Sequence, residues 1–214
     1  MNVVLIGPPG VGKGTQAAGL SRRFEMVHIA TGNILRAAVH DQSAFGKQVA
    51  KVLTSGQLVS DDLMVDLIRK RLAEDDAQQG WLMDGFPRTV AQAEALTGLL
   101  DDLDQTIHAV IRMSVPDDVI VARLAGRLSC HTCNATTSRE QVPEGEGGAC
   151  PTCGARDLFV RDDDREETIR ERLAVFQAQT DPAVALLGRQ YPLREVSGVG
   201  TPQEVAERLN GVLG

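Results

Sequence analysis

The chain is poor in aromatic residues: one Trp, one Tyr and five Phe make up 3% of its 214 residues. Its core must therefore be built from Leu, Val, Ile and Ala. Positive charge is also in deficit, with 22 Lys+Arg against 29 Asp+Glu and a net charge of -7. Phosphate backbones attract basic surfaces, so nucleic acid is disfavoured as the main partner. Small anionic substrates remain allowed, because a site needs only local positive charge. No apolar stretch reaches the ~18 residues that a membrane helix requires. The apolar run in "MNVVLIGPPG" is short and lacks a preceding positive segment, which argues against a secretory signal. A cytoplasmic protein without a membrane partner is expected. Cysteine is scarce too, at four residues. In a reducing compartment such cysteines act as metal ligands or redox groups more often than as disulfides.

The remaining composition, 43% hydrophobic and 24% charged, is that of a globular protein. The length suits one core with small inserted subdomains. Val3 to Ile6 is a continuous apolar run ending at Gly7, as expected of a strand buried on both faces. Ala17, Leu20 and Phe24 then follow at helical spacing. "MVHIA" (26–30), "GWLMDGFPR" (80–88), "TIHAVIRMSV" (106–115) and "LREVSG" (193–198) read as further strands. Helices are expected from "TGNILRAAVH" with Thr31 as cap, from the stretch after Ser60, from Asp117 to Leu128, from "REETIRERLAVFQAQT" and from "TPQEVAERLNGVL". Strands alternating with helices imply an α/β fold with a parallel sheet covered on both faces. Between about 129 and 160 apolar periodicity stops, and Cys, Gly, Pro and Thr take over. This segment reads as an insertion too poor in apolar residues to bury a core of its own.

The strongest motif is "GPPGVGKGT", Gly7 to Thr15, directly after a strand and before a helix. In that context Gly10, Val11, Gly12 and Gly14 turn backbone N–H groups around phosphate oxygens. The helix adds its positive end, and Lys13 adds a mobile cation. Gly14 intervenes after the lysine, so Thr15 supplies the hydroxyl for Mg²⁺. A phosphate loop alone leaves GTPase, motor, transporter ATPase and kinase open. "WLMDGFPRT" narrows this. It places Asp84 at the end of a buried strand, where carboxylates hold Mg²⁺ directly or through water, and sets Arg88 beside it.

Together, "GPPGVGKGT", "TGNILR", "GQLVSD", "DGFPRT" with Gln92, and "RDDDREETIRERL" resemble the adenylate kinase family in order and spacing across nearly the whole chain. The resemblance implies reversible, Mg-dependent phosphoryl transfer from ATP to AMP, giving two ADP. It implies a P-loop three-layer sandwich with a central parallel sheet. The core would comprise residues 1–29, 60–126 and 166–214, with an AMP-binding domain at 30–59 and a lid at 127–165. It also implies a monomer. Lys13, Asp84, Arg88, Arg127, Arg161 and Arg172 would carry the catalysis. ATP would meet the phosphate loop, Arg123, Arg127, Thr136, Thr137 and the main chain at Gly200. AMP would meet Thr31, Arg36, Gln57, Leu58, Val59, Gly85, Arg88, Gln92, Arg161 and Arg172. Asp163 and Asp164 would secure lid closure. Two positions depart from the family pattern. Asn33 stands where an aspartate is frequent, and Thr137 where related lids carry tyrosine.

The cysteines are spaced Cys130-x2-Cys133-x16-Cys150-x2-Cys153. That spacing fits two knuckles converging on one tetrahedral zinc. Four thiolates leave no open coordination position, so the metal would be structural. A redox dithiol is the alternative, although neither C-x-x-C pair opens a helix. His131 could compete as ligand, but it is expected to be exposed, as are His28, His40 and His108. Two other functions stay open: a UMP or CMP kinase, and a zinc-ribbon nucleic-acid-binding regulator using the phosphate loop as a sensor. The absence of a basic, aromatic-bearing face weighs against the second.

Overall fold

The computed structural model describes Met1–Gly214. Eight strands and nine helices follow in the order β1 (Asn2–Ile6), α1 (Lys13–Arg23), β2 (Val27–Ala30), α2 (Thr31–His40), α3 (Ala44–Ser55), α4 (Asp61–Leu72), β3 (Trp81–Asp84), α5 (Val90–Asp102), β4 (Ala109–Ser114), α6 (Asp117–Ala125), β5 (Arg127–Cys130), β6 (Thr136–Ser138), β7 (Leu158–Phe159), α7 (Glu166–Val175), α8 (Asp181–Gln190), β8 (Leu193–Ser197) and α9 (Pro202–Leu213). Five strands form one parallel sheet in the order β2-β3-β1-β4-β8. This is the α/β architecture expected from the sequence.

All five residues of β1 are buried, because β3 and β4 flank it and helices cover both faces. Its side chains alternate between two cores. Val4 and Ile6 enter a cluster of 22 buried residues with Trp81, Met83 and Val110. Val3 and Leu5 enter a cluster of 12 on the opposite face, with Leu82, Ile111 and Met113. A strand buried on both faces reads as unbroken apolar sequence for this reason. Leu, Val and Ile dominate the larger cluster, with Trp81 its one tryptophan.

Local signals set several helix starts. Ser43 accepts from the Gly46 N–H to begin α3, and Thr89 accepts from the Gln92 N–H to begin α5. Thr201 and Glu204 form a reciprocal capping box at α9. Thr31 does not cap α2. It is the first helical residue, and its hydroxyl instead donates to the Asp84 and Gly85 carbonyls. The helix expected to reach Leu128 ends at Ala125, and Arg127–Cys130 is a strand. Leu124 and Leu128 share a helical spacing, but Leu128 belongs to a separate three-stranded antiparallel sheet, β6-β5-β7. That sheet also holds a small core of its own, contrary to expectation: Leu128, Cys130, Val142, Cys150 and Leu158 are buried together. The cysteine sulfurs themselves supply part of the apolar interior.

Candidate functional site

The site lies at the carboxyl ends of β1 and β3, where parallel strands leave a crevice. Gly7 follows β1, and a Cβ there would lie 2.6 Å from the Met113 carbonyl oxygen of the neighbouring strand β4. Gly10 has φ 77° and sits against Leu124, so no other residue fits that turn without strain. The loop wraps back on itself, and Lys13 Nζ donates to the Gly7 and Pro8 carbonyls at 2.6 and 2.9 Å. Burial lowers the Lys13 pKa to about 8; Asp84 opposes that shift, while Arg88, Arg172 and Arg127 reinforce it. Thr15 lies exposed on the first turn of α1.

Asp84 ends β3 in register with Leu5 of β1 and Ala30 of β2. Burial alone would raise its carboxyl, but the His28 ring, Lys13 and Arg88 outweigh that and hold it below the usual carboxylate range. An ionised, acceptor-only group at this position has the chemistry of a divalent-cation or metal-bound-water ligand. His28, expected to be exposed, is half-buried, with Nε2 3.5 Å from Asp84 Oδ2. A lone histidine on a short strand gave no hint of that proximity. His40, His108 and His131 are exposed as expected; His131 stacks on Phe159 with ring centroids 3.6 Å apart.

Arginines surround the crevice. Arg88 donates through Nε to the Gly85 carbonyl at 2.7 Å. Arg36 donates to Asn33 Oδ1 at 2.8 Å. Arg127 grips Asp164 through Nε and Nη2. Arg172 meets both Asp163 and Asp164, at 2.8 and 3.4 Å. Arg161 donates through Nε to Ser129 Oγ at 2.6 Å. The Asp164 side chain is 0% exposed, so two cations share one carboxylate away from water. Asp163 is held ionised: burial raises its pKa, but Arg172, Arg127, Arg36 and Arg161 lower it further. Burial and mutual repulsion push Arg36 down to about 10 and Arg161 to about 9. Six cations, Lys13 and these five arginines, thus face Asp84, Asp163 and Asp164 in a protein of net charge -7. An anion entering the crevice relieves that imbalance.

Two concavities meet at Arg88. One is lined by Gly7, Lys13, Gly85, Arg88 and Arg172; the other by Thr31, Leu35, Gln57, Leu58, Val59, Met64, Arg88 and Gln92. The second is mainly apolar, with Thr31, Gln57, Arg88 and Gln92 as its polar lining. Gln92 is buried, its Oε1 accepting from the Arg88 N–H and its Nε2 donating to Asp61 Oδ1, each at 2.8 Å. One proton and one lone pair of that amide remain for a ligand. Asp61, which also accepts from Thr89, closes the "GQLVSD" stretch but was given no role from sequence. The Gln57 side chain turns away to Glu171, leaving main chain at this position.

Arg123 donates to the carbonyls of Val11 and Gly198, bridging the phosphate loop and the loop after β8 that carries Gly200. Gly200 has φ 110° and packs against Glu204. Thr136 is exposed, and Thr137 Oγ1 donates to Gln141 Oε1 at 2.7 Å.

Strand β5 presents two different faces. Leu128 and Cys130 enter the small core, whereas Arg127 and Ser129 bond to Asp164 and Arg161. All four cysteine Sγ atoms lie within 4.8 Å of one another. The Cys130–Cys153 and Cys133–Cys150 sulfurs are 3.7 Å apart, far beyond the ~2.05 Å of a disulfide. A tetrahedron with metal–sulfur bonds of ~2.3 Å has edges of ~3.8 Å. Burial opposes ionisation of the Cys150 thiol, but backbone N–H groups of Cys153 and Thr152 and the adjoining Cys133 and Cys153 sulfurs lower it to about 7, while burial and the other three sulfurs raise Cys133 to about 12. The sulfur spacing is that of a site able to hold a metal ion.

No helix is long and apolar enough to cross a membrane. A family model described as adenylate kinase matches residues 5–190. Curated relatives named adenylate kinase align end to end. That of Caldicellulosiruptor saccharolyticus is 42% identical over 213 residues, covering 100% of this chain and 97% of the relative. That of Caldicellulosiruptor bescii is 44% identical over 215 residues, covering 98% and 99%. That of Geobacter sp. (strain M21) is 43% identical over 205 residues, covering 96% and 95%.

Proposed function

The chain belongs to the adenylate kinase family, and on that premise we propose how its own residues transfer phosphate between ATP and AMP. The observation that carries the assignment of roles is the convergence of Lys13, Arg88 and Arg172 on one crevice that joins a mainly apolar pocket through Arg88. The phosphate loop and Lys13 hold the donor phosphates, and Arg123 with the main chain at Gly200 positions the donor adenine. Thr31, Gln92 and the main chain at 57–59 receive AMP. The Thr31 proton is engaged by two backbone carbonyls, so its oxygen faces the base as an acceptor, suited to an amino group. Arg36 and Arg88 bind the AMP phosphate.

In the transfer, an AMP phosphate oxygen forms the new bond to the γ-phosphorus as the bond to the β,γ-bridging oxygen breaks. The nucleophile is already anionic, so no general base is needed. The barrier is lowered by alignment and by cations around the equatorial oxygens. Arg127, Arg161 and Arg172 supply these, and their planar forks match phosphate oxygens in pairs. Asp84 and the Thr15 hydroxyl would hold the magnesium that accompanies ATP, which supplies charge neutralisation on the donor phosphates.

Residues 30–59 form the AMP-binding domain, and residues 127–165 form a lid over the core. Arg127 and Asp164 of the lid meet Arg172 of α7, an arrangement of closure that excludes water from the transferring group. Cys130, Cys133, Cys150 and Cys153 would hold a zinc ion that stiffens this cover. The same reading makes the enzyme a cytoplasmic monomer. The test is diphosphate formation from Mg-ATP with each nucleoside monophosphate. AMP is the preferred acceptor, and Lys13→Ala or Arg88→Ala removes the activity with the fold retained. A preference for UMP or CMP would overturn the assignment.

A further inference from the structure

Each cation of the crevice is held differently, and the differences decide what it offers a phosphate. Arg127 gives Nε and Nη2 to Asp164. Arg172 gives Nη1 to Asp163 and Asp164. Arg88 is held through Nε alone by the Gly85 carbonyl, and Arg161 likewise makes a single bond through Nε, but to a side chain of strand β5. Asp163 and Asp164 act on it only through space, and its side chain makes one hydrogen bond, from Nε to the Ser129 hydroxyl at 2.6 Å. Arg161 is 9% exposed and Ser129 2%, so this bond sits away from bulk water. Both terminal nitrogens of Arg161 remain without hydrogen-bond partners and are not fully closed off from solvent, with Arg36 and Arg127 among their charged neighbours.

Building on the phosphoryl-transfer reading, we infer that Ser129 is a positioning residue for the reaction: its hydroxyl fixes Arg161 through Nε alone and leaves the two terminal nitrogens as an undivided fork for the transferring phosphoryl group.

The geometry explains why a neutral partner is used. A carboxylate at this place would take two of the guanidinium's N–H groups and cancel its charge, as Asp164 does for Arg127. A hydroxyl accepts one N–H, fixes the plane of the fork and leaves the full charge for the substrate. Without it, Arg161 sits among Arg127 and Arg36, which repel it, and its guanidinium can swing away from the phosphate position. Ser129 is set in place by strand β5, where it pairs with Thr136 on one side and Phe159 on the other, and where Leu128 and Cys130 are anchored in the small core. The hydroxyl and the guanidinium therefore belong to one rigid piece. No sequence motif marks Ser129.

The experiment compares Ser129→Ala, Ser129→Thr, Arg161→Lys and the double variant Ser129→Ala/Arg161→Lys, with kcat, both KM values, bound metal and thermal midpoint measured for each. Ser129→Ala lowers kcat about tenfold, the effect of losing one hydrogen bond to a charged group, while either KM changes less than threefold. Bound metal stays at the parent value, and the melting temperature falls by a few degrees, the cost of leaving one buried N–H without its partner. Ser129→Thr, which keeps the hydroxyl, restores kcat to within about threefold of the parent. In the Arg161→Lys background, removing the hydroxyl causes no further loss, because Lys has no Nε–H fork to orient. Equal tenfold losses in both backgrounds, or an unchanged kcat in Ser129→Ala, would overturn the inference. A parent-like kcat in Arg161→Lys would instead remove the role given to Arg161 itself, leaving the rest of the transfer reading standing.

Discussion

Replacing Lys13 with Met should abolish activity and yet leave the nucleotide-free protein more stable at pH 7. The lysine pKa falls from 10.5 to about 8, first because of burial, with Arg88, Arg172 and Arg127 adding to the fall and Asp84 opposing it. A depression of that size is equivalent to about 3 kcal/mol against the charged form in the folded state. The side chain retains some access to solvent, so this is an upper figure. The bonds from Nζ to the Gly7 and Pro8 carbonyls, 2.6 and 2.9 Å, disappear with the amine, returning about 1–2 kcal/mol of the gain. The net expectation is about 1–2 kcal/mol in favour of Met, or roughly 2–8 °C in melting temperature for a chain of this size. The sign has a pH signature. Between about pH 8 and 10.5 the unfolded chain binds more protons at this site than the folded chain, so the parent gains stability as pH rises. The penalty is full below about pH 8 and gone near 10.5, so the advantage of Met must shrink between pH 7 and pH 10. Thermal unfolding of both proteins at the two pH values, without nucleotide, measures it. A lower melting temperature for the Met variant at pH 7, or the same difference at both pH values, would refute the reasoning. Adding ATP should reverse the order, because only the parent binds it tightly.

The remaining expectations concern separate parts of the site. Asp164→Asn removes the fully buried charge shared by Arg127 and Arg172; a loss of about 2–4 kcal/mol in stability, with kcat down at least tenfold, is expected from denaturant unfolding and steady-state kinetics. Cys153→Ser should abolish stoichiometric zinc measured by elemental analysis and lower the melting temperature, while amide exchange in α1 and the phosphate loop stays at the parent level. Arg123→Ala should raise KM for ATP about tenfold with little change in KM for AMP, because its two bonds hold the loops on the donor side only. An equal change in both KM values would contradict that separation.

The phosphate loop and "DGFPRT" were legible because each is a contiguous stretch in which backbone geometry and side-chain chemistry sit within a few residues. The strands were legible too, since β1 and β3 are buried on both faces and so are apolar apart from Asn2 at the start of one and Asp84 at the end of the other. What escaped involved partners distant in sequence. His28 meets Asp84 only because β2 and β3 align, and Asp61 reaches Gln92 across 31 residues. The small sheet was misread at its first strand because Leu124 and Leu128 keep helical spacing, while the hydrogen bonds that overrule it come from Thr136–Ser138. Its core was missed because cysteine was counted as chemistry and not as apolar volume. Helices α3 and α5 were not anticipated, although Ser43 and Thr89 cap them.

Strand β5 packs four duties into four consecutive residues, with side chains turned alternately toward the sulfur cluster and toward the phosphate crevice. Alternation along a strand has no intermediate setting. Inserting or deleting one residue here would invert every side chain beyond it, turning Cys130 toward the arginine cluster or Arg127 toward the sulfurs. Length variation among homologues should therefore collect in the turns between residues 139 and 149 and vanish from 127–130. Substitution, not slippage, is the only route by which this strand can change.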